Sequence, residues 1–128
     1  MNKSIIITAA IFGMVAVIAG AFGAHGLKAL IEPTQLAVWH TAVEYNFYHV
    51  FALLFVSILP QNKTKWVTVS YYMFTFGIVF FSGSLYLLAC RELLHMDWLW
   101  IMGPITPVGG LLFIVGWLSL AMAATRMK

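Results

Sequence analysis

The stretch Ile5-Ile-Ile-Thr-Ala-Ala-Ile-Phe-Gly-Met-Val-Ala-Val-Ile-Ala-Gly-Ala-Phe-Gly-Ala24 carries no charged residue. At a helical rise of about 1.5 Å per residue it crosses a hydrocarbon core of roughly 30 Å. Its apolar residues run continuously instead of alternating, and a bilayer admits only helices and closed barrels, so the stretch is read as a membrane-spanning helix. Three further runs of this kind follow, at about 40–59, 66–90 and 106–125. The expected fold is all-α: one membrane domain over residues 1–128, an integral four-helix bundle.

The rest of the composition agrees. Of 128 residues, 62% are hydrophobic and 9% charged, with a mean hydropathy of +0.94. A core this small cannot hide so much apolar surface from water, so the surplus faces lipid. Seven basic residues against four acidic ones, without a basic stripe, give no footprint for nucleic acid. The expected surroundings are the lipid bilayer and either further copies of the chain or other membrane proteins. Cys90 is the single cysteine, so no disulfide forms within the chain. A signal-peptide reading of the N-terminus, with cleavage near Ala19-Gly20-Ala21, is disfavoured because the apolar run exceeds a usual signal core.

Charge sets the expected orientation, since Lys and Arg near span ends are retained in the cytoplasm. Lys3, Lys63, Lys65, Arg126 and Lys128 fall on one side; Lys28 and Arg91, with Glu32, Glu92 and Asp97, fall on the other. Both termini are therefore expected in the cytoplasm, with the protein in the inner membrane. Trp39, Trp98 and Trp100 are placed at the outer interface and Trp66 at the inner one.

Small residues at intervals of four place Gly13, Gly20 and Ala24 of the first helix on a packing face, and Gly116 does the same on the fourth. Before that fourth helix, Pro104 and Pro107 break the helical path from Trp98. Thr106 followed by Pro107 predicts an N-cap and first helical residue, leaving about 98–105 as an apolar interfacial or re-entrant segment.

The second span is rich in ionisable and hydrogen-bonding groups, which inside a membrane are candidates for function. By rise, Glu44 lies one to two turns below the outer surface and His49 near mid-bilayer. The expected intramembrane polar cluster, facing the bundle interior, contains His25, His40, Glu44, Asn46, His49 and Arg91. Nine residues turn a helix through about 900°, so His40 and His49 point oppositely and the second helix alone cannot build a metal site. No catalytic residue, metal site or cofactor is implied: nucleophile elbow, HExxH, paired CxxC and phosphate loop are missing, and Gly20 to Gly26 lacks the strand a dinucleotide fingerprint needs. The favoured function is a structural, accessory or scaffold component of a membrane assembly. The alternative is a small oligomeric channel or proton-linked transporter lined by Glu44 and His49. A third reading, haem held by His25 or His40 and His49, ranks below both.

Four ordered motifs carry a resemblance: Gly20-Ala-Phe-Gly-Ala-His-Gly-Leu27, the run Trp39 to His49, Phe81-Ser-Gly-Ser-Leu-Tyr86, and Gly103-Pro-Ile-Thr-Pro-Val-Gly-Gly110. Together they resemble the small bacterial membrane proteins called domain of unknown function 423, which are similar to the eukaryotic transmembrane protein 256. The resemblance covers nearly the whole chain. It implies a multi-pass inner-membrane protein and brings no activity or functional residues with it.

Overall fold

In the computed structural model, which describes residues 1–127, the chain is all-helical and forms four candidate spans. Lys128, counted above with the inner charges, lies outside the described residues. The first span is α1 (Lys3–Ala24), started by Asn2, whose Oδ1 accepts from the backbone N–H of Ser4 at 3.0 Å and of Ile5 at 3.3 Å. Such a cap is worth about 1 kcal/mol. Gly26 continues in right-handed geometry, which carries Leu27 into the core.

The second span, α2 (Pro33–Ile58), starts seven residues before the expected His40. Pro33 supplies a preset first helical residue, and the polar first turns lie above the apolar run, which is why hydropathy alone misses them. The helix stops where Leu59 is extended ahead of Pro60. The earlier start puts Trp39 nearly two turns into the helix, with its indole turned into the bundle. It is buried, donates Nε1–H to the carbonyl of Ala19 at 2.8 Å and packs on Tyr86 at 4.7 Å between centroids.

The third span is α3 (Lys65–Gly77), a π-helical turn (Ile78–Ser82) and α4 (Gly83–Ala89). The fourth is α5 (Ile105–Arg126), preceded by a 3-10 turn over Asp97–Met102. Trp98, Trp100 and Ile101 of that turn are exposed while Leu99 is buried. The expected N-cap at Thr106 is displaced. Pro104 caps the helix, Ile105 begins it, and Thr106 and Pro107 are its second and third residues. Pro107 fits there because the first-turn N–H groups have no intrahelical partner to lose.

α1 packs on α2, α3 on α5, and α2 joins the two pairs through α4 and the π turn. One core, with Ile5, Leu53, Val67, Phe74 and Phe113, runs through all four spans; a smaller one around Ala19, Leu27, Trp39 and Ala89 fills the end of the bundle where α1 finishes. Close approach is concentrated at particular glycines. A Cβ on Gly23 would lie 2.7 Å from the Trp39 ring, one on Gly116 2.6 Å from Phe74, and one on Gly109 would overlap the backbone nitrogen of Phe81. At Gly13 and Gly20 the nearest atoms, on Val50 and Val43, stand at ordinary contact distances of 3.5 and 3.6 Å, and Ala24 is exposed. The tight contact of α1 is thus at Gly23, where the large indole of α2 must fit beside it.

Candidate functional site

His49 sits at the meeting point of α2, α3 and α5. Its ring stacks on Phe113, with centroids 3.5 Å apart and planes within 5°, and Phe74 closes another side at 5.5 Å. Phe113 can lie there because Gly77 has no side chain: an added methyl would overlap the phenyl ring. Both imidazole nitrogens are engaged. Nδ1 is 2.8 Å from the carbonyl of Tyr45, and Nε2 is 3.2 Å from the indole nitrogen of Trp117. A carbonyl only accepts and an indole only donates, so these partners select the neutral tautomer with its proton on Nδ1. With both nitrogens occupied, His49 in this arrangement presents no lone pair to a haem iron.

Beside this stack, a groove of about 850 Å³ runs between α2 and α5 within the spanning region. Rings dominate its wall: Tyr45, Tyr48, His49, Phe81, Phe113 and Trp117. Tyr45 leans on Phe81 at 4.7 Å, and Phe81 on Phe113 at 5.4 Å. Gly110 leaves the groove open, since a Cβ there would meet nothing nearer than the Phe81 ring at 3.9 Å.

A second set of polar contacts joins the spans. Asn46, 1% exposed, donates through Nδ2 to the Tyr86 hydroxyl at 3.2 Å, and its Oδ1 has no partner among the described residues. Ser82 in the π turn donates to the carbonyl of Ala42 at 2.8 Å, and the Ser84 and Thr106 hydroxyls are 2.6 Å apart. Ser70 donates to the carbonyl of Gly116 at 3.1 Å. These bonds tie the third span to the second and the fourth.

The six residues expected to cluster are not brought together. His49 and Asn46 are buried, in separate surroundings. His40 and Glu44 are exposed on the outward face of α2, His25 is exposed where α1 ends, and Arg91 is half-buried in the turn after α4. The reason is the screw of the helix. Positions 40 and 44 fall on one side, whereas 46 and 49 are turned from Glu44 by about 160° and 140°. A path lined by both Glu44 and His49 is likewise not formed within one copy. Glu44 is more than a turn inside the end of the bundle where α1 finishes: Gly23 of α1 faces Trp39 and His40, and Gly20 faces Val43. Outside the spans, burial pushes the Cys90 thiol above its ordinary pKa.

Sequence reasoning passed over Phe113 and Trp117. Trp117 carried a usable signal, because it lies far from either end of its span and an indole N–H there needs a protein acceptor.

Residues 19–110, from the end of α1 into α5, match the family described as protein of unknown function (DUF423). The chain belongs to this family. Relatives along nearly the full length agree with that assignment. The UPF0382 membrane protein YwdK of Bacillus subtilis is 42% identical over 127 residues, covering 97% of this chain and 98% of its own. The UPF0382 membrane protein SERP0230 of Staphylococcus epidermidis is 41% identical, covering 97% of each chain. A UPF0382 membrane protein of Haemophilus influenzae is 36% identical over 128 residues, covering 100% of this chain and 98% of its own. No solved structure matches. The chain is thus a membrane protein of a family of unknown function, with four helices long and apolar enough to span.

Proposed function

We propose that the protein is a non-catalytic structural component of the inner membrane, with both termini in the cytoplasm, that associates with further copies of itself through the outward face of α2. The observation that carries this reading is the exposure of Glu44 within a spanning helix. A charged side chain facing lipid at the centre of a span costs roughly 2.5–3.5 kcal/mol, which a polar neighbour offsets. His40 lies one turn above Glu44 and Tyr48 one turn below, and Phe51 and Phe55 continue the exposed stripe. Two copies inserted in the same sense are related by an axis along the membrane normal, so equal depths on their α2 helices meet. The stripe is self-complementary in that arrangement: each carboxylate comes within a turn of a histidine from the other copy. The small residues of α1 support the same choice of face, since Ala9, Ala16, Ala19 and Gly23 are already buried within the bundle.

Crosslinking in intact membranes tests this. With Cys90→Ser removing the native thiol, Phe51→Cys is expected to form a disulfide-linked dimer on oxidation, while Met14→Cys on the exposed side of α1 is not. Equal crosslinking at both positions, or at neither, contradicts the reading. The transporter alternative is separated by flux into liposomes: ion or solute movement by the parent that is lost in Glu44→Gln favours transport over a structural role.

A further inference from the structure

We infer that the groove between α2 and α5 is a binding site for a lipid-soluble quinone, a planar ring bearing carbonyl acceptors on an apolar tail. This does not rest on the self-association reading. The groove lies round the helix from the His40–Glu44 stripe, and only Tyr48 borders both.

Four observations select this chemistry. The site opens sideways among spanning residues: Leu111 and Ile114 on its rim are exposed, so whatever enters comes from the hydrocarbon. Its volume of about 850 Å³ falls within the range of sites for small ligands, roughly 300–1,000 Å³. Its wall consists of ring faces, which favour a flat π-system by offset stacking, whereas a saturated chain gains nothing specific from them. The polar groups are donors in search of acceptors. The Tyr45 and Tyr48 hydroxyls form no hydrogen bond among the described residues, and at this depth water does not supply one. His49 and Trp117 already satisfy each other, so the two phenols are the donors a ring carbonyl would find.

Gly110 and the two tyrosines make the site testable. Gly110→Leu places a side chain into open space in the groove. Tyr45→Phe and Tyr48→Phe keep the rings and remove the hydroxyls. The full chain would be reconstituted in phosphatidylcholine liposomes and titrated with decylubiquinone, following quenching of tryptophan emission. The parent is expected to show a saturable component above the linear quenching caused by partition into lipid. Gly110→Leu is expected to weaken it at least about tenfold, a filled site losing more than one hydrogen bond's worth of contact, and each tyrosine variant roughly threefold to tenfold. Because the tyrosine variants leave the packing intact, they decide the matter if Gly110→Leu does not fold. Purely linear quenching by the parent overturns the inference, as does saturable quenching unchanged in the folded variants. Equal displacement of decylubiquinone by hexadecanol also overturns it, since that identifies an acyl-chain groove. If saturable quenching appears only when Phe51→Cys crosslinking is prevented, a second copy is the natural occupant and the inference again fails.

Discussion

Trp117 of α5 donates its indole N–H to Nε2 of His49 on α2 across 3.2 Å, while the opposite nitrogen of that imidazole is 2.8 Å from the carbonyl of Tyr45. One side chain thereby joins a turn of its own helix to a neighbouring span, at a depth where neither donor nor acceptor has water as a substitute. Losing either partner leaves the other unpaired at that depth, a cost the two single variants each carry and the double variant does not. Trp117→Phe and His49→Phe are each expected to destabilise the bundle by about 1 kcal/mol. The double variant should be less destabilised than the sum, with a coupling of about 0.6 kcal/mol. Unfolding in mixed micelles measures this; strict additivity would mean that the hydrogen bond contributes nothing.

Gly109 and Gly110 are adjacent and should behave oppositely. A methyl on Gly109 overlaps the Phe81 backbone in the π turn, which cannot swing aside like a side-chain tip, whereas Gly110 has open space. Gly109→Ala is expected to cost about 2 kcal/mol, within the range of other overpacking effects, and to lower the yield of folded protein. Gly110→Ala is expected to raise stability by up to about 1 kcal/mol through helix propensity. Thermal unfolding of the two variants side by side checks the contrast.

These two glycines also show what a sequence can and cannot disclose. The spans were legible because twenty uncharged residues from Ile5 to Ala24 admit one reading in lipid. The start of α2 was not, because Thr34 and Gln35 are polar and Pro33 marks a beginning only once the helix behind it is known. Thr106-Pro107 looked like a cap and first residue, yet a proline is equally comfortable at the third helical position. The polar residues of α2 stood out, but their grouping depended on azimuth and on which helices surround α2. That is how Glu44 came to be expected inside the bundle and lies outside it. Likewise, spacing by four marks small residues without saying which one faces an indole, the circumstance that singles out Gly23.

Asn46 is buried with an unpaired Oδ1, a cost of about 1–3 kcal/mol that the bundle carries. Removing it together with its partner should relieve that cost. Asn46→Leu combined with Tyr86→Phe is expected to be as stable as the parent or more so, and Tyr86→Phe alone less stable, by unfolding in micelles. A double variant less stable than either single one would indicate a hydrogen-bond network beyond the Asn46–Tyr86 contact.

Cys90, at the end of the third span, reports both orientation and burial. With both termini in the cytoplasm it faces the outside, so an impermeant maleimide added to intact cells whose outer barrier is open should label it. Burial raises its pKa, which means a smaller thiolate fraction at neutral pH than an ordinary thiol has. Labelling should therefore be slow at pH 7 and keep accelerating at pH values where a free thiol has levelled off. Labelling only after the inner membrane is breached would reverse the orientation.

If a second copy covers the Glu44 stripe on α2, native mass spectrometry of protein released in mild detergent detects it as a defined oligomer. The parent is expected to appear as a defined oligomer, Glu44→Gln to retain it because an amide still hydrogen-bonds at that depth, and Glu44→Leu to appear as monomer. A monomeric parent, or an oligomer that survives Glu44→Leu unchanged, would contradict self-association through this face.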